Sequence, residues 1–305
     1  MASQPKHQVL ARLGDAHNSG PRVSLPRWLT ELDTGPHDEH RSRTRYRTIF
    51  ISDIHLGTSG CNAALLLDFL KSHECETLYL IGDIVDGWQL RKGWYWPQAH
   101  NDVVRAILKM AKHGTRVIYV PGNHDEHFRD YVGLEFGGIE LMLDAIHVTA
   151  DGRRLLVTHG DQFDNIVLYH KWLAFLGDGA YTLLLKSNGA VNWFRRKLGL
   201  PYWSLAAHMK KRVKNAVAFI SRFEEALAHA ALDREVDGVV CGHIHSAEIR
   251  EFGDVTYYND GDWVESCTAL VEDAHGAMKI IDWAEHRRNA VVAVKAPAGR
   301  ALQPA

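Results

Sequence analysis

The strongest constraint on this chain is the way its apolar runs end. Five short runs rich in β-branched residues, Thr48–Ile51, Leu78–Ile81, Val117–Val120, Leu155–Thr158 and Gly238–Cys241, each stop at a block of Asp, His, Asn and Gly. The blocks are Ser52-Asp53-Ile54-His55, Gly82-Asp83 with Asp86, Gly122-Asn123-His124-Asp125, His159-Gly160-Asp161 and Gly242-His243-Ile244-His245. Runs of this composition and length read as buried strands. The blocks therefore stand at strand ends, where an open α/β sheet holds its ligands.

Carboxylate, imidazole and amide oxygen together suit Mn²⁺, Fe²⁺ or Zn²⁺ better than a thiolate-loving metal. Each block also has an ordinary reading by itself. Asp-x-His can be a turn with a solvated Asp, Gly-Asn-His-Asp a turn that tolerates positive φ, and Gly-His-Ile-His two histidines on one exposed strand face. Five such blocks in one order are much harder to assign to turns alone.

In that order, D-x-H, G-D-x-x-D, G-N-H-D, H-G-D and G-H-x-H resemble the calcineurin-like metallophosphoesterases, over residues 48 to about 282. The resemblance implies an α/β, four-layer sandwich of two mixed β-sheets flanked by helices, with a helical cap insertion. It also implies two divalent ions, Mn²⁺ with Fe²⁺ or Zn²⁺ as alternatives. By the family pattern Asp53, His55 and His245 would hold the first ion, and Asn123, His159 and His243 the second, with Asp83 bridging. His124 would be the general acid or transition-state donor, and Asp125 would orient it.

A finer resemblance is to the UDP-2,3-diacylglucosamine pyrophosphohydrolases of lipid A biosynthesis. It rests on Ser-Asp-Ile-His-Leu, on Gly-Asp-Ile-Val-Asp-Gly-Trp at 82–88, on His-Gly-Asp, and on the insertion before Gly-His-Ile-His. It implies cleavage of a pyrophosphate in a nucleotide-linked glycolipid, giving UMP and a lipid monosaccharide phosphate. The chain departs from that family at His124, where Arg is usual, and at Ser246-Ala247, where Arg-Pro usually follows the last His.

Composition sets outer bounds. At 305 residues, 46% hydrophobic and 24% charged, the chain can bury a full core. A formal net charge of −2 argues against general nucleic-acid binding. Cys61, Cys75, Cys241 and Cys267 are scattered without a C-x-x-C pair, the pattern of reduced thiols. No apolar run approaches the eighteen residues of a spanning helix, and the N-terminus lacks a signal-peptide pattern. The expectation is a cytoplasmic protein, peripheral on the inner face of the plasma membrane.

In chain order, residues 1–46 read as a disordered tail, 47–295 as the metallophosphoesterase domain with its helical insertion at about 164–233, and 296–305 as a frayed end. Arg41, Arg43, Arg45 and Arg47 read as a solvated approach to the first strand. Helices are predicted from Asn62, as a cap, to about His73, and from Gln98 to Lys112. Asp151-Gly152 predicts a hairpin. The loop after Asp86 carries Trp88, Arg91, Trp94, Tyr95 and Trp96, either a packed cluster or a substrate wall in which Trp88 and Arg91 make contacts. Asp161 and Asp164 suit a sugar or the metal shell, or plain turn roles. No acid occurs between Asp178 and Glu224, an interval where basic and aromatic residues suit an anionic membrane surface, a cap over a lipid tail and a phosphate, or an ordinary helical insertion with a basic outer face. Lys279–Trp283 is read as the last strand.

Overall fold

The computed structural model describes residues 43–166 and 220–295, with side-chain surroundings for 43–163 and 220–290. The expected tail before residue 43, the basic and aromatic stretch from Lys186 to Lys214 and the end from Ala296 lie outside the described residues. The first half contains β1 (Thr44–Ile51), α1 (Ala63–Ser72), β2 (His73–Ile81), α2 (Gly87–Lys92), α3 (Gln98–Lys112), β3 (Arg116–Val120), β4 (Glu135–Phe136), β5 (Ile139–Leu141), β6 (Ala145–Val148) and β7 (Arg154–Val157). The second contains α4 (residues 220–233), β8 (Gly238–Cys241), β9 (Glu248–Phe252), β10 (Val255–Asn259), β11 (Thr268–Glu272), β12 (Met278–Asp282) and α5 (Trp283–Lys295).

Two mixed sheets result, in the orders β12-β11-β1-β2-β3-β5-β4 and β6-β7-β8-β10-β9. β1, β2, β3 and β5 run parallel, as do β7, β8 and β10. The apolar runs have no polar alternation because both faces of these strands are covered. Phe50, Tyr79, Ile118 and Val120 from the larger sheet meet Leu155, Val157, Val240 and Tyr258 from the smaller one in the inter-sheet core. The outer face of the smaller sheet, Leu156, Val239, Cys241 and Tyr257, is covered by Phe223, Leu227, Ala228 and Ala231 of α4. Helices α1, α3 and α5 lie against the larger sheet, so the order of layers is helix, sheet, sheet, helix. Each large apolar side chain buried this way contributes about 1.5–3 kcal/mol.

Three boundaries differ from the sequence reading. β1 begins at Thr44 and pairs with β2 from its first residue, so the last three residues assigned to the tail are strand. Tyr46 is buried there, while Arg43 and Arg45 stay exposed and reach Glu74 and Glu76 at the surface. Asn62 precedes α1 but its side chain caps nothing; its Nδ2 donates to Val264 O at 2.7 Å. Trp283 opens α5 instead of closing a strand, and its indole N–H donates to Asp68 Oδ2 at 2.9 Å, fastening α5 to α1.

A buried polar knot joins the two sheets away from the strand ends. Glu272 on β11, fully buried, accepts from Thr48 Oγ1 at 2.7 Å, Arg47 Nη1 at 2.7 Å, the Ala150 N–H at 2.7 Å, and lies 2.8 Å from His147 Nε2 on β6. Burial would push this carboxyl up, but His147, Thr48 and the Ala150 N–H outweigh it and hold it at about 2. A depressed carboxyl adds stability that is complete above its ordinary 4.5 and fades as pH falls toward about 2. Glu272→Ala is expected to cost about 3–5 kcal/mol, because it strands buried donors. Urea unfolding at pH 7 checks this, and an unmoved midpoint would contradict it.

Candidate metal centre

The centre is assembled at the carboxyl ends of β1, β2, β3, β7 and β8. Beyond the strands the backbone stays zipped: Asp53 N donates to Gly82 O at 3.1 Å, His55 N to Asp83 O at 2.8 Å, and Leu56 N to Ile84 O at 2.9 Å. Trp263 N donates to Asp53 O at 3.1 Å, drawing in the loop after β10. Close approach between loops requires glycine. A Cβ on Gly122 would stand 2.4 Å from Asp83 Oδ1, and one on Gly242 would stand 2.5 Å from Asp53 Oδ2.

Five of the seven expected ligands hold their backbone in the left-handed region: Asp53 (φ 47°), His55 (53°), Asp83 (53°), His243 (70°) and His245 (54°). Such conformations cost non-glycine residues about 1–3 kcal/mol each and collect at functional sites. Here they turn successive side chains inward. Asp53, His55 and His245 form one group of facing donor atoms, and Asp83, His159 and His243 another. Asp83 stands between them, with Oδ2 3.7 Å from His55 Nε2 and Oδ1 3.5 Å from His159 Nε2.

The donor atoms pass a test of fit for cations. Asp53 Oδ1, His55 Nε2, Asp83 Oδ2, Asn123 Oδ1, His159 Nε2 and His245 Nε2 are all buried and have no hydrogen-bonding partner. His245 Nε2 approaches Asp53 Oδ1 to 3.0 Å without hydrogen-bond alignment. Stranding a buried polar atom costs about 1–3 kcal/mol, so several gathered in this way call for a ligand that takes them together. The outer nitrogens of two imidazoles are already engaged. His159 Nδ1 donates to Ile81 O at 2.9 Å, and His55 Nδ1 lies 3.1 Å from Asp86 Oδ2, which leaves each Nε2 to face inward.

Behind Asp53, Ser52 Oγ lies 2.7 Å from Asp53 Oδ2 and 2.6 Å from Asp260 Oδ1, and the His243 N–H donates to Asp53 Oδ2 at 2.7 Å. Burial pushes the Asp260 carboxyl well up, with the Asp53 charge adding to it. Burial also works against the Asp53 carboxylate, but His245 and His55 hold it well below the usual range. Burial lowers His55 less than Asp53, Asp86 and Asp83 raise it, and its ring is held at about 9.

Among the residues expected at the centre, Asp125 has a different task. Its carboxylate accepts from the backbone N–H groups of Gly122 (2.6 Å), Ile84 (2.8 Å) and Asp83 (3.3 Å), and from the Tyr119 hydroxyl. It therefore clamps the loops after β2 and β3 and is not the partner of the His124 ring. That place belongs to Asp86, whose Oδ2 lies 3.0 Å from His124 Nδ1 while the same carboxylate caps α2 at Gln89 N. His124 Nε2 lies 3.8 Å from Asp83 Oδ2. Asp86 stands in the Gly-Asp-x-x-Asp block, so its presence was readable, but its role was not.

Of the expected substrate contacts, Trp88 is half-exposed with its ring centroid 4.3 Å from that of His124. Arg91 is exposed and touches His127. Asp161 is taken by Arg129, whose Nη2 donates to both carboxylate oxygens at 2.7 and 2.8 Å, so it is a brace between loops and not an open sugar contact. The Asp164 side chain lies outside the described ones.

A proton on His55 must leave before its Nε2 can bind a cation. With the ring held at about 9, Mn²⁺ binding at pH 7 is expected to release protons, and affinity is expected to rise with pH toward about 9. Calorimetry in buffers of different ionisation enthalpy reads the release. A heat independent of buffer at pH 7 would contradict it.

Comparison with known proteins follows the same lines. The calcineurin-like phosphoesterase model matches residues 46–247. A UDP-2,3-diacylglucosamine hydrolase of Azotobacter vinelandii is 28% identical over 67% of this chain and 83% of its own. One from Xanthomonas campestris pv. campestris is 26% identical over 75% of this chain and 96% of its own. A novel archaeal phosphodiesterase of known structure aligns over 77% of this chain and 98% of its own, at 15% identity and a TM-score of 0.38, too loose a superposition to add to the case. With the family model covering most of the chain and ending at the last histidine block, the protein belongs to the calcineurin-like phosphoesterase family and is a hydrolase.

Proposed function

We propose that this chain hydrolyses the pyrophosphate bond of UDP-2,3-diacylglucosamine, releasing UMP and a lipid monosaccharide 1-phosphate. The observation that carries the reading is the run of relatives bearing that activity in their name over two thirds or more of this chain. The donor set at the strand ends supports the same chemistry. Asp53, His55 and His245 would hold one divalent ion, and Asn123, His159 and His243 the other, with Asp83 between them. Mn²⁺, or alternatively Fe²⁺ or Zn²⁺, would withdraw charge from the phosphoryl oxygens and make water acidic enough to attack near neutral pH.

The residues divide the remaining work. His124 presents Nε2 toward Asp83 while Asp86 holds Nδ1, so a proton at Nε2 is placed for the oxygen that leaves phosphorus. Histidine suits this role because its proton exchanges near neutrality. Trp88 lies tilted against the His124 ring. The oxygen of water joins the attacked phosphorus, the P–O bond to the second phosphoryl group breaks, and His124 donates to that oxygen.

A membrane-bound substrate fits a second feature. Trp94 is 79% exposed and Tyr95 37%, in a loop where Arg91 and Lys92 precede them and no acid occurs from Gly87 to Asn101. Exposed aromatics beside cations suit an anionic bilayer surface, which supports a peripheral location on the inner face of the membrane. No helix among the described residues is long and apolar enough to cross a membrane.

A second reading is favoured by His124 itself. With His in place of the Arg usual among lipid A enzymes, the chain has the full general phosphoesterase pattern, and another phosphomonoester, diester or nucleotide diphosphate would serve as substrate. Purified protein with Mn²⁺ and UDP-2,3-diacylglucosamine separates the two. Release of UMP is expected, and brisk hydrolysis of p-nitrophenyl phosphate without it would favour the second.

Asp86→Asn, assayed at saturating Mn²⁺, is expected to lose roughly 10²–10⁴-fold in kcat, the usual range for general acid catalysis. Asp125→Asn should instead lower the melting temperature. Equal kcat in wild type and Asp86→Asn would remove Asp86 from the mechanism.

A further inference from the structure

Arg91 and His127 belong to the segments that follow two of the centre's blocks, and their side chains meet. Arg91 lies on α2, following the loop that carries Asp83 and Asp86. His127 lies in the 3₁₀ turn Glu126–Tyr131, directly after Asn123 and His124. Arg91 Nη2 contacts His127 Nε2, a guanidinium donating to an imidazole. Among the described residues no carboxylate pairs with the Arg91 guanidinium, whose contact is His127 Nε2. The two loops are in intimate contact here. The Gly87 N–H donates to His124 O at 3.0 Å, and a Cβ on Gly87 would stand 3.8 Å from His127 Nε2.

We propose that Arg91, held in place by His127, is the subsite for the leaving phosphoryl group, and that it makes the centre selective for diphosphates over single phosphate esters. The inference rests on the phosphoesterase reading above and deepens it. His124 protonates the oxygen that leaves the attacked phosphorus. In a diphosphate that oxygen carries a second phosphoryl group, whose charge must be met just beyond His124. A guanidinium without a carboxylate partner, three residues along α2 from Trp88, whose ring lies against His124, supplies a planar fork for two phosphoryl oxygens. In a simple ester nothing anionic occupies that place. His127 is a positioning residue here, acting through Arg91.

The test is calorimetric binding of methylenediphosphonate and methylphosphonate to the Mn²⁺-loaded full chain, at one fixed free Mn²⁺ concentration. Wild type is expected to prefer the diphosphonate by at least about tenfold. Arg91→Ala should abolish most of that preference, Arg91→Lys should keep part of it, and His127→Ala should fall between, all with unchanged metal content. A wild type without preference, or an Arg91→Ala protein with the wild-type preference, would overturn the subsite. If preference follows Arg91 but UDP-2,3-diacylglucosamine is not turned over, the lipid substrate is wrong and the diphosphate subsite stands.

Discussion

Buried donor atoms of Asp53, His55, Asp83, His159 and His245, without hydrogen-bonding partners, face one another across the ends of two sheets. Left alone, they would be a large debit in a molecule whose net stability is of order 10 kcal/mol. The carboxylates of Asp53 and Asp83 draw protons onto neighbouring imidazoles, and His55 is held at about 9 for that reason among others. Cations meet all of these demands together. The centre is therefore the place where the fold is least satisfied by itself.

The surrounding structure makes that arrangement tenable. Parallel strands bring the blocks after β1, β2 and β3 to one edge, and β7 and β8 bring the last two blocks from the other sheet. The inter-sheet core of Phe50, Tyr79, Val120, Val157 and Val240 holds the edges in register. Asp125 then gathers backbone N–H groups from two loops, and Arg129 braces Asp161, the residue two places after His159. Both fix the loops against the left-handed backbone strain at the ligands.

The strand ends and the ligand types were legible in the sequence because both rest on local pattern. An apolar run reveals a buried strand, and a block of Asp, His and Asn at its end reveals chemistry. Which carboxylate touches which imidazole was not legible, since that depends on the path of two loops in space. Asp125 adjoins His124 in sequence but turns to the backbone, while Asp86, far from His124 in sequence, reaches its ring. Asp161 was open as a sugar contact because nothing in its own segment points to Arg129. The last helix was missed for a different reason. Its segment, Trp-Ala-Glu-His-Arg-Arg-Asn, carries mostly charged and polar residues, and what holds it is tertiary, through Trp283 and Arg287 on Asp68.

We propose that the seven side chains Asp53, His55, Asp83, Asn123, His159, His243 and His245 would hold two cations, with Asp83 shared between them. Elemental analysis of the full chain after Mn²⁺ loading and desalting tests it directly. Two equivalents in wild type and fewer than two in Asp83→Ala, with the variant still folded by circular dichroism, are predicted. One equivalent or none in wild type, or two retained without Asp83, would contradict it.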